Sequence, residues 1–105
     1  MAERKAAATS RGKRAPQPGP PRTLIQAHEA LVRIRPKGNA SLAAWKAYYE
    51  RSAALYLEIA EIDRGHHHEA LYWAQREQEK ATEIAARISA GASPKQLVPD
   101  PEWSR

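Results

Sequence analysis

The chain has no cysteine and no phenylalanine, and a single methionine among its 105 residues. Without cysteine there is no disulfide framework, no thiolate nucleophile and no thiolate metal site. A reducing, cytoplasmic setting is the expectation that follows. Large aliphatic residues are also scarce: 21 alanines stand against seven leucines, six isoleucines and two valines. Any core is therefore thin and built from helices. No apolar run approaches the roughly 18 residues that mark a membrane span, and the charged segment from Met1 to Arg14 has no apolar stretch behind it. Neither membrane insertion nor a secretory leader is expected.

What the chain does carry is positive charge, +5 overall, and it is unevenly placed. Residues 1–22 hold six basic side chains (Arg4, Lys5, Arg11, Lys13, Arg14, Arg22) against Glu3, whereas residues 23–105 hold eleven of each sign. The expected folded part is thus neutral, and attraction to phosphate belongs to a segment rich in Ala, Pro, Gly and Arg that cannot bury enough to fold. Within it, Arg11, Gly12, Lys13 and Arg14 resemble the Arg-Gly-Arg core of an AT-hook, a minor-groove reader, although Ala15 intervenes before Pro16. Weak nucleic-acid contact through Arg11, Lys13 and Arg14 is the reading this segment offers. A solvated, disordered basic tail is the plainer one.

Pro16, Pro18, Pro20 and Pro21 close that tail, and three helices are expected after it. The first spans about 24–35, with Leu24, Ala27, Leu31 and Ile34 at helical spacing and Thr23 and Gln26 in capping-box register; Pro36 and Gly38 end it. The second spans about 42–63, with Trp45, Tyr48, Ser52, Leu55, Ile59 and Ile62 on one stripe and Tyr49 and Tyr56 beside it. A turn at Arg64 and Gly65, with the glycine left-handed, is favoured over one continuous helix. The third spans about 66–90, its seam formed by Ala70, Ala74, Glu77, Ala81, Ile84 and Ile88. Large side chains of the second helix against alanines of the third predict an antiparallel all-α hairpin with the shorter first helix packed on it. Residues 92–105 read as an extended tail.

Two features invite chemistry. His66, His67, His68 and Glu69 offer imidazole and carboxylate ligands, but successive helical residues point about 100° apart, so only His66 and Glu69 share a face. Those two are the metal candidates, and solvated or turn-packing histidines are the alternative. No paired base and nucleophile, phosphate loop or dinucleotide glycine pattern is present, so neither an enzyme nor a cofactor is expected. The second feature is the aromatic surplus. Trp45, Tyr48, Tyr49, Tyr56, Tyr72 and Trp73 either replace missing Phe and Leu in the core or anchor a partner. Tyr49, Tyr56, Tyr72 and Trp73 are the expected contact surface, for a protein partner or for self-association.

The run from Glu61 to Leu71, with Gly65 five residues before Ala70, resembles the inter-helix turn of a tetratricopeptide hairpin, although Glu77 falls where that family has a small residue and no second copy occurs. Across about 23–90, Trp45, Tyr48 and Tyr49 followed by the run from Ile62 to Ala74 resemble small uncharacterised helical proteins of actinobacteria. That resemblance implies a helical fold and brings no site residue with it.

Overall fold

The computed structural model describes residues 19–99. Arg11, Lys13 and Arg14, and the end of the chain with Trp103, lie outside the described residues. The architecture is all-α: α1 (Leu24–Ile34), α2 (Leu42–Ile62) and α3 (His67–Ser89), with a short pair of strands, β1 (Asn39–Ser41) and β2 (Leu97–Pro99). At 1.5 Å per residue α2 and α3 reach about 32 and 35 Å, so the two sides of the hairpin end together.

Packing follows from the size difference between the two faces. Trp45, Tyr49, Tyr56 and Ile59 of α2 are buried against Ala70, Ala74, Ala81 and Ile84 of α3, and the alanines let the axes approach closely. Leu24, Ala27 and Leu31 of α1 close the core from one side. The buried arc of α2 is wider than the expected stripe. It takes in Tyr49, Ala53, Tyr56 and Ala60, while Leu55 is half-buried and Ile62 is exposed, because α2 packs against both other helices.

Helix ends are closed by named groups. Thr23 Oγ1 accepts the Gln26 N–H at 3.1 Å, and Gln26 Oε1 accepts the N–H of Arg22 at 2.9 Å, one residue beyond the expected reciprocal bond. Asp63, in the turn after α2, accepts the Leu24 N–H at 3.0 Å, so a carboxylate from one end of the hairpin caps α1. At the opposite end, the Tyr48 hydroxyl donates to the Leu31 carbonyl at 3.3 Å. Together these contacts set α1 antiparallel to α2 and hence parallel to α3.

The turn differs from the left-handed glycine expected at Gly65. Arg64–His66 form one turn of 3₁₀-helix, and among the described residues the glycines with positive φ are Gly38 (60°) and Gly91 (116°). Polar side chains hold the turn instead: His66 Nδ1 lies 2.9 Å from Asp63 Oδ2, and His67 Nδ1 lies 2.8 Å from the Ala60 carbonyl. Gly91 ends α3, where a positive φ would strain any residue with a Cβ.

Part of the expected C-terminal tail is also structured. Leu97, Val98 and Pro99 pair antiparallel with Ser41, Ala40 and Asn39, and the Gln96 and Pro94 carbonyls accept the N–H groups of Leu42 and Ala43, both at 2.9 Å. Ser41 Oγ takes the Ala44 N–H at 3.1 Å. The first turn of α2 thus finds acceptors for three of its orphan donors, two of them from the chain beyond α3. Among the described residues no helix is long and apolar enough to cross a membrane.

Candidate functional site

Because α1 and α3 both pack on α2 without covering it fully, a cleft of about 150 Å³ opens between them. Its floor is α2, through Tyr48, Tyr49 and Tyr56. One wall is α1, through His28, Leu31, Val32 and Arg35, and the other is α3, through Trp73, Arg76, Glu77 and Lys80. Ring contacts organise it. His28 packs edge-on against Trp73 at 5.2 Å and against Tyr56 at 5.4 Å, and Trp73 and Tyr56 stack at 6.1 Å with an interplanar angle of 29°. His28 Nδ1 lies 2.7 Å from the Tyr56 hydroxyl, which fixes both rings.

Two polar groups in this cleft are unusual. Glu77 replaces a small residue on the alanine seam and is only 8% exposed. Burial pushes its carboxyl above the usual value, with Arg76, Lys80 and Arg35 opposing that shift. The second is Tyr49, whose hydroxyl is buried with no hydrogen-bond partner. Burial, reinforced by the Glu77 charge, raises the phenols of Tyr49 and Tyr56 well above their ordinary range. The cations at the mouth are held over rings: the Arg35 guanidinium sits 5.1 Å from the Trp45 ring centre and that of Arg76 sits 5.2 Å from Trp73.

The expected contact surface is half corrected. Tyr49 and Tyr56 are 2% and 4% exposed and belong to the core, because the α2 arc facing α1 and α3 includes them. Tyr72 is 60% exposed, and Trp73 is half-buried at the edge of the cleft with Tyr72 edge-on against it at 5.4 Å. The histidine run diverges. His66 turns to Asp63, His67 turns to the end of α2, and His68 is exposed with its ring edge-on to that of His67 at 5.2 Å. Among the described residues no group of three or more His, Asp and Glu is placed to hold a metal ion; His66 is engaged by Asp63 instead.

The sequence pattern placed Glu77 on the seam but did not place it in a cleft with His28, Arg35, Arg76 and Lys80. A carboxylate interrupting a run of buried alanines was the available signal. The other four lie on separate helices and converge only in the fold. Compared with known proteins, the chain matches no family, no curated protein and no solved structure.

Proposed function

We propose that this is a protein-interaction module whose contact surface is the face where α1 and α3 border the cleft. The observation that carries the reading is an apolar strip left in solvent there: Val32 is 67% exposed, Ile25 66% and Tyr72 60%, beside the half-buried Trp73. Ile25 and Val32 lie one turn before and after His28, which abuts Trp73, so they share its side of α1. Aromatic anchors in a partly dry cleft with charged residues at its rim are what interface centres use.

The test is capture of partners from native lysate by the full-length chain and by a Val32→Ala/Tyr72→Ala double variant. Both positions are exposed, so the variant should melt within about 0.5 kcal/mol of the parent at each site. Loss of anchors at an interface centre costs about 2 kcal/mol or more, roughly thirtyfold in affinity. A defined protein retained by the parent and lost by the double variant supports the reading; identical retention by both refutes this face. The charge of residues 1–22 supports a second reading, nucleic-acid association through Arg11, Lys13 and Arg14. Its mark is recovery of nucleic acid that disappears in high salt and on deletion of residues 1–22.

A further inference from the structure

We infer that the cleft between α1 and α3 receives an acidic peptide segment of the partner carrying one aromatic side chain, the ring entering the cleft and the neighbouring carboxylates meeting Arg35, Arg76 and Lys80. The inference rests on the protein-interaction reading and names the partner's chemistry at the same face.

Size sets the first limit. The cleft measures about 150 Å³, and a cavity near that volume holds one benzene-sized ring. One aromatic side chain fits, whereas a folded helix does not enter it. Chemistry sets the second. The lining includes the stacked pair Trp73 and Tyr56 together with Leu31 and Val32, surfaces that favour a flat apolar group.

Charge decides the sign of the flanking residues. The lining holds three cations, Arg35, Arg76 and Lys80, against the single carboxyl of Glu77, so its net charge is positive even with that carboxyl ionised. A basic segment meets like charge there; an acidic one meets its complement. Both guanidiniums are already set over aromatic faces, so their positions are fixed before a carboxylate arrives.

The experiment selects a randomised displayed-peptide library on the full-length chain, then measures the enriched peptides against three proteins: the parent, Lys80→Glu, and Val32→Ala/Tyr72→Ala. Each variant's melting curve is recorded first, so that a loss of fold is separated from a loss of binding. The expected result is enrichment of Asp and Glu around one Trp, Tyr or Phe, with binding weakened about tenfold or more by Lys80→Glu and reduced by added salt. Peptides that need Val32 and Tyr72 but are neutral or basic, or that ignore Lys80→Glu, overturn the acidic-segment inference and leave the interaction face standing. Peptides indifferent to both variants overturn the inference and the face together. Failure to enrich any peptide overturns the inference alone, the face then being judged by partner capture.

Discussion

Two tyrosines on α2, seven residues apart, give a comparison in which the same deletion has opposite signs. The hydroxyls of Tyr49 and Tyr56 are both in the core, with side chains 2% and 4% exposed, but only Tyr56 has a partner, His28 Nδ1 at 2.7 Å. A buried hydroxyl left without a hydrogen bond costs about 1–3 kcal/mol in proteins. Tyr49→Phe removes that cost and leaves a void of one oxygen, so the variant should be more stable by about 1 kcal/mol. Tyr56→Phe breaks a made bond and strands a ring nitrogen, a loss of about 1–2 kcal/mol. The two variants should therefore differ by about 2–3 kcal/mol, or roughly 10–20 °C in Tm for a domain of this size. Urea unfolding followed by tryptophan fluorescence measures this directly, provided the slope is unchanged between variants. If Tyr49→Phe is destabilised as much as Tyr56→Phe, the Tyr49 hydroxyl is hydrogen-bonded in solution, with enclosed water as the partner, and the argument fails.

The two carboxyls singled out above predict opposite responses to pH. Glu77 binds its proton more tightly in the fold than at its ordinary value of 4.5, so its contribution to stability is complete below pH 4.5 and is lost as pH rises through the raised value. Glu77→Gln should then exceed the parent in stability at pH 7 and lose that advantage below pH 4.5, as read from urea midpoints; a less stable Gln variant at pH 7 means that Arg76, Lys80 and Arg35 hold an ionised carboxylate. Asp63 is the reverse: the Leu24 N–H first, and His66 second, hold its pKa below 3.8, so its contribution is present above pH 3.8 and is lost as pH falls through the depressed value. Asp63→Asn should melt earlier than the parent at neutral pH, with the gap closing in acid and the Leu24 amide exchanging faster. Equal melting at neutral pH would count against the cap.

The helices were legible because their signals are local. The 3.6-residue spacing of Leu24, Ala27 and Leu31, the Thr23 cap and Gly91 after α3 each depend on a few neighbours in sequence, and all are found where expected. The seam of α3 was legible down to Glu77, since a single partner helix defines it. The face of α2 was not, because two helices share it and the buried arc reaches Tyr49 and Tyr56. One helix's periodicity carries no record of how many neighbours it has. Gly65 misled for a related reason: a glycine near a helix end favours a left-handed residue on local grounds, and here Asp63, His66 and His67 close the turn through contacts that involve α1 and the end of α2. The three-residue β2 is too short to show alternation, so its pairing was invisible. The cleft was the least legible feature, being assembled from α1, α2 and α3 residues that share no motif.

The pairing of the segment beyond α3 with the start of α2 bears on how the chain is made. A growing chain emerges amino end first, and by the time α2 has been synthesised its opening N–H groups at Leu42 and Ala43 still lack the Pro94 and Gln96 carbonyls that accept them. Those acceptors arrive only after the whole of α3 has followed. The amino end of the central helix, midway along the sequence, is therefore among the last places to close, and a chain ending before residue 94 lacks both acceptors and leaves the Leu42 and Ala43 N–H groups to water.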